Sequence, residues 1–246
     1  IDYANLGGYI WADQVLTRDF IEGVNASGEF HRFLELVAGN DRGRYEAHCS
    51  TLGYLLHGFK DLSNNRAVIY NDCTMSDNPN GGTGKGIMMQ ALRSMRRVVE
   101  IDGKTFSFDK GFPYQTVNAD CQVLVFDDVE RYFKFEKTFS LITEGITLEK
   151  KNKDAIKLPV QKSPKIVITT NYTIQGEGSS HERRRWEVEM SDHFGINRTP
   201  RDEFGHQLFL DWQEQEWAHF DALMIYCVEL YLSRGLVKAK WVNLHN

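Results

Sequence analysis

Proline is scarce, with five in 246 residues, and no low-complexity run is present, so extended disorder has little room in this chain. No stretch approaches the roughly eighteen apolar residues of a membrane-spanning helix. The N-terminus also lacks the basic, apolar and small-residue succession of a signal peptide. The expectation is a cytoplasmic protein with no membrane partner. Cys49, Cys73, Cys121 and Cys227 lie far apart with no Cys-x-x-Cys pair, which argues against a zinc ribbon and against a disulfide-stapled secreted domain. The eight histidines contain no His-Glu-x-x-His, and the side chains of adjacent His48 and Cys49 diverge on regular structure. The first residue is Ile1 and not Met, so the chain is expected to be cut from a longer one.

What is present suits a packed interior: 41% hydrophobic and 12% aromatic residues, with 29 basic against 34 acidic side chains and a net charge of −5. Phe30, Phe33, Leu34 and Val37 have helical spacing and stop at Gly39-Asn40; a second helix carries Leu52, Leu55, Leu56 and Phe59 on one face. Residues 1–62 thus form a small helical module ahead of a different pattern. That pattern opens with the strand-like run Ala67 to Tyr70, a polar Gly-rich stretch, and a helix from about Lys85 to Arg97. Further apolar runs at Val98–Ile101, Val123–Phe126 and Ile166–Thr169 have the look of buried parallel strands. From Asp211 to Arg234, Trp217, Phe220, Met224, Val228 and Tyr231 share a helical face that ends at Gly235, a closing helix packed on the core.

Asn78-Pro79-Asn80-Gly81-Gly82-Thr83-Gly84-Lys85-Gly86 sits where a strand hands over to a helix. Glycines there let backbone N–H groups converge on a phosphate, the helix N-terminus adds its positive dipole end, and Lys85 can reach the β and γ phosphates. The expected nucleotide-binding stretch is Asn80, Gly81, Gly82, Thr83, Gly84, Lys85, Gly86 and Ile87. Pro79 stands where the phosphate-loop pattern has its first Gly, and Gly86 replaces the Ser or Thr whose hydroxyl ligates Mg²⁺. About forty residues on, the second run ends in Asp127-Asp128, placing acid at the C-terminal edge of a sheet. Asp127 would hold Mg²⁺ directly or through water, and Asp128 would orient or deprotonate a lytic water. The third run ends in Thr170-Asn171, whose amide could meet the γ-phosphate or that water. Each piece has an ordinary alternative as a polar turn; the weight lies in their order and spacing.

Ile146 and Leu148 alternate on one side, and Ile156, Leu158 and Val160 on the other, of the polar segment Glu149 to Ala155, which describes a β-hairpin. Its tip carries Lys150, Lys151 and Lys153, and residues 131–165 hold nine basic against four acidic residues, a local +5 in an acidic chain. Such a tip suits contact with a phosphate backbone, or it serves solubility alone. Ser179 and Glu182 have capping-box spacing, so the arginines that follow are expected on a short helix running into the strand Trp186 to Met190. An arginine there could reach a phosphate bound to a neighbouring subunit; for Arg183, pairing with Glu182, Glu187 or Glu189 is preferred.

Over about residues 67 to 195 these motifs together resemble the superfamily 3 helicases of the AAA+ class, particularly the helicase parts of phage, viral and plasmid primase-helicases. The resemblance implies an α/β fold, an AAA+-like P-loop core of three α/β/α layers around a central, mostly parallel sheet, preceded by the helical module and closed by a C-terminal helix. It divides the chain into a linker or oligomerisation module at 1–62, a motor core at 63–200 and a packed helical segment at 201–246. It implies an ATP hydrolase working as a DNA helicase in replication of a phage or other mobile element. ATP and Mg²⁺ would sit at the subunit interfaces of a ring, usually hexameric, with single-stranded DNA in the pore and a primase or polymerase domain elsewhere in the same longer chain. On that pattern Lys85 is the phosphate-loop lysine, Asp127 and Asp128 the metal and water acids, and Asn171 the sensor. Lys150, Lys151 and Lys153 are the DNA-binding hairpin, and Arg185, with Arg184 the alternate, the arginine finger. Gly86 leaves Mg²⁺ to water, Asp127 or Thr83, so slow hydrolysis is expected. Two alternatives stay open: an AAA+ ATPase that loads or remodels a replication complex without unwinding, and a DNA-binding interaction module with a degenerate nucleotide site.

Overall fold

The computed structural model describes residues 15–74 and 81–244. Five strands form one parallel sheet: β1 (Ala67–Asp72), β2 (Val98–Asp102), β3 (Val123–Val129), β6 (Lys165–Thr170) and β7 (Arg185–Met190), in the order β2-β3-β6-β1-β7. Between β3 and β6 the chain makes the antiparallel hairpin β4 (Gly145–Leu148) and β5 (Ile156–Pro159), with Ile146 opposite Leu158 and Leu148 opposite Ile156. The helices are α1 (Glu29–Val37), α2 (Arg42–Leu56), α3 (Lys85–Arg93), α4 (Phe139–Thr143), α5 (Ser179–Glu182), α6 (Pro200–Phe204) and α7 (Glu214–Arg234). Among the described residues no helix is long and apolar enough to cross a membrane.

Strand side chains alternate between two apolar cores, which makes the molecule three-layered. Val68, Tyr70, Val123, Val125, Val167 and Val188 face α1, α2, α3 and α7. Ala67, Ile69, Leu124, Phe126, Ile166 and Ile168 face α4 and the hairpin. Helix α2 is buried along most of its length, and at Gly53 a Cβ would lie 2.0 Å from the Cys227 carbonyl oxygen of α7, so glycine sets how closely the two helices approach.

Three local expectations are corrected. Helix α2 stops at Leu56 and leaves Phe59 exposed: Lys165 Nζ donates to the Tyr54 carbonyl and Arg96 Nη2 to the Leu56 carbonyl, closing the C-terminus with side chains. Helix α3 ends at Arg93, because the Arg97 carbonyl accepts from the Gln122 and Val123 N–H groups at 2.9 and 3.2 Å at the start of the β2–β3 pairing. The capping box at Ser179 is absent: Gly178 is the N-cap without a side-chain cap, α5 ends at Glu182, Arg183 and Arg184 lie in the turn, and Arg185 already belongs to β7.

Candidate functional site

Parallel strands present their C-terminal ends on one sheet edge, and β1, β3 and β6 are adjacent enough there for their tips to meet the crossover from β1 into α3. Of that crossover, Asn78, Pro79 and Asn80 lie outside the described residues. Gly81 and Gly82 are exposed, Thr83 and Gly84 buried. Gly84, the N-cap of α3, has φ 106°, and a Cβ on it would lie 2.8 Å from the Phe33 ring, so both the backbone and the packing require glycine. Gly86 is exposed with open space around it, and the Ile87 N–H donates to the Gly84 carbonyl at 3.0 Å.

Lys85 joins three elements. Its Nζ donates to Asp72 Oδ1 at 2.5 Å and to Asn171 Oδ1 at 2.7 Å, and Thr83 Oγ1 donates to the same Asp72 oxygen at 2.5 Å. Burial lowers the Lys85 pKa, against the pull of Asp72 and, more weakly, of Asp128 and Asp127. Asn171 Nδ2 in turn donates to Asp128 Oδ1 at 3.2 Å, and Lys104 Nζ pairs with the other Asp128 oxygen. One polar chain therefore runs from the tip of β1 through α3 and the tip of β6 to the tip of β3.

The acids owe their placement to a bulge. The β3–β6 register shifts between Phe126 and Val129, and Asp128 has φ 52°, which turns the two carboxylates out of the ladder. Thr169 locks the turn, donating to Asp127 Oδ1 at 2.6 Å and accepting from the Asp128 N–H at 2.7 Å. From the other side the Gly103 N–H donates to the Asp127 carbonyl at 2.6 Å, and a Cβ on Gly103 would lie 2.6 Å from that oxygen. Beside the loop, Asp72, Thr83, His193, Phe194 and Arg198 line a cavity of about 300 Å³.

No three His, Cys, Asp or Glu side chains among the described residues group into a set able to hold a metal unaided. The oxygen donors of Asp72, Thr83, Asp127 and Asp128 nevertheless suit Mg²⁺, which commonly takes one or two carboxylates and completes its shell with substrate phosphates and water.

The arginines are not brought to this edge. Arg185 pairs with Ala67 at the start of β1, five residues before Asp72, which is roughly 17 Å along the strand at about 3.3 Å per residue. Its Nε lies 3.4 Å from Glu187 Oε2 and its Nη1 donates to the Gly176 carbonyl at 3.3 Å; burial pushes the Glu187 carboxyl up, against the pull of Arg185. Arg184 lies over the Phe139 ring at 4.6 Å and donates to the Ser180 carbonyl at 3.1 Å.

At the hairpin tip Lys151 and Lys153 are exposed, while Lys150 is half-buried and donates to Asn118 Oδ1. Phe112, from the β2–β3 connection, shares an open groove of about 560 Å³ with Lys150, Asn152, Lys153 and Asp154. The residue is 41% exposed and its φ is 56°, an unusual pair of features for an aromatic residue.

Sequence reasoning missed Asp72, Lys104, Thr169 and Phe112. Asp72 was accessible to the rule that found Asp127, since it too ends an apolar strand run. The others are single residues whose roles arise from contacts more than twenty residues away in the chain.

Residues 78–185 match a family of unknown function, DUF5906. No curated protein matches. Among solved structures, the A-form apo structure of the NrS-1 C-terminal region aligns at TM-score 0.51 and 14% identity, covering 92% of this chain and 48% of that one. A second structure of that region, residues 305–718, aligns at TM-score 0.52 and 15% identity, covering 87% and 47%. A JCV helicase bound to a thiazolopyridine compound gives TM-score 0.42 at 13% identity, covering 83% and 55%. The likeness to the NrS-1 region is one of fold, and this chain spans about half of that region's length.

Proposed function

We propose that this chain is the motor part of an ATP-driven DNA helicase or translocase, hydrolysing ATP at subunit interfaces of a ring and moving single-stranded DNA with its basic hairpin. The observation that carries this reading is the meeting of the Lys85 ammonium, at the N-terminus of α3, with the amide of Asn171 and, through it, the carboxylate of Asp128. The fold shared with the NrS-1 region supports it as well.

In this reading the amides of residues 81–86 and the Lys85 ammonium grip the β and γ phosphates, and the cavity beside Thr83 takes the nucleoside. Asp127 would hold the magnesium that accompanies the triphosphate, which would supply positive charge against the developing phosphate charge. Asp128 orients the attacking water and takes its proton, and Asn171 reports the state of the γ-phosphate to β6. Arg185, far from the loop of its own subunit, would serve a neighbour's site. Lys150, Lys151 and Lys153 contact the strand's phosphates while the Phe112 ring offers a base a stacking surface.

The deciding experiment is ATP hydrolysis and forked-DNA unwinding by the assembled protein and by Lys85→Ala. The variant should lose both activities by about two orders of magnitude or more. Full turnover in Lys85→Ala would remove the phosphate-loop assignment, and hydrolysis without strand separation in the parent would move the reading to a loader or remodeller.

A further inference from the structure

Asp72 stands apart from the acid pair on β3. It is the last residue of β1, 3% exposed, and its position belongs to the sheet, since the β1–β7 ladder runs through Asp72 opposite Met190. The Thr83 hydroxyl and the Lys85 ammonium that meet its Oδ1, both at 2.5 Å, belong to the loop and to α3. Lys85 is itself only 14% exposed, and its remaining strong acceptor is the neutral amide oxygen of Asn171. Any phosphate that approaches this ammonium has to share it with a carboxylate fixed in the sheet.

We propose that Asp72 is a specificity-determining residue that makes the site take nucleotides carrying their divalent cation and reject the free polyphosphate anion. The inference rests on the nucleotide reading above. One ammonium cannot neutralise both a buried carboxylate and a triphosphate, and the repulsion between the two anions is little screened where water is excluded. A cation that arrives with the phosphates supplies the missing positive charge. Asp127 and Asp128 also lie near, but Asp127 is exposed and Asp128 is paired with Lys104. Gly86 sharpens the requirement, because the helix turn after Lys85 offers no hydroxyl to bring the cation in.

The test is calorimetric titration with a non-hydrolysable ATP analogue, in saturating magnesium and again in excess chelator, on the wild-type chain and on Asp72→Asn, with Asp72→Ser as a second neutral variant. Thermal melts check that each variant is folded. The wild type should bind the metal-loaded analogue about a hundredfold or more tighter than the bare one, and neutralising Asp72 should shrink that ratio about tenfold, chiefly through tighter binding of the bare analogue. A residue that only props up the loop would weaken both titrations alike and leave the ratio unchanged. A wild-type ratio near one, or an unchanged ratio in a folded variant, overturns the proposal while leaving the nucleotide site standing; no binding by the wild type under either condition overturns the nucleotide reading and this one with it.

Discussion

At the scale of single residues, the acid tip of β3 depends on a glycine that touches no ligand. Gly103 lets the β2–β3 connection pass within hydrogen-bonding distance of the Asp127 carbonyl, and Lys104 follows directly to pair with Asp128. Gly103→Ala places a methyl group 2.6 Å from that carbonyl oxygen and must push the bulge outward. The expected outcome is a loss of about 1–3 kcal/mol in denaturant unfolding and, on the proposed function, a drop in ATP turnover larger than the loss in ATP affinity. Equal stability and turnover in the variant would show that the bulge tolerates displacement. Asp72 marks how residue-scale reading stops short. Its position at a strand end was visible in the sequence, but its partnership with Lys85 bridges a separation of thirteen positions along the chain, and only the folded crossover sets it.

At the scale of elements, the C-terminus of α2 is closed by two cations, Lys165 and Arg96. Lys165 is 3% exposed, its Nζ lying over the Tyr54 ring at 3.9 Å, and burial, with Lys60 and Arg96 nearby, pushes it down from 10.5 to about 7. Burial likewise brings Lys60 down to about 8. Between those values and 10.5 the unfolded chain binds more protons than the folded one, so stability rises with pH across that window; below about pH 7 the full cost of burying the charge remains. Urea unfolding should therefore show a gain of up to a few kcal/mol from about pH 7 to pH 9.5, and Lys165→Met should flatten the rise. A profile that is level in the wild type would contradict the burial of a charged Lys165. The α2–α7 contact gives a second test. Gly53→Ala, with its methyl 2.0 Å from the Cys227 carbonyl oxygen, should separate the helices and cost about 3 kcal/mol, or roughly 6–12 °C in Tm. Both helices were legible from apolar spacing. Their closeness was not, because periodicity tells which face is apolar and not what that face meets.

For the whole molecule, the common direction of the parallel strands separates two groups of proposed catalytic residues. Lys85, Asp127, Asp128 and Asn171 gather at one edge, while Arg185 begins β7 at the other. If Arg185 acts in a neighbour's site, Lys85→Ala and Arg185→Ala should each be inactive alone and regain part of the wild-type ATPase when mixed, because some interfaces then combine an intact loop with an intact arginine. Silence in the mixture, with assembly confirmed by light scattering, would remove Arg185 from the proposed machinery.

The sequence alone determined the kinds and order of the main strands and long helices, because alternating and helical apolar spacing, the glycines before Lys85 and the acids after a buried run are local signals carried by neighbouring residues. It also determined that the hairpin tip is basic. Tertiary structure decided what those elements meet: the insertion of β1 between β6 and β7, the Asp72–Lys85 pair, the bulge that turns Asp127 and Asp128 outward, and the placing of Phe112 beside the lysines. Each of these depends on strand order and loop closure between distant residues, and no local spacing encodes which strand lies next to which.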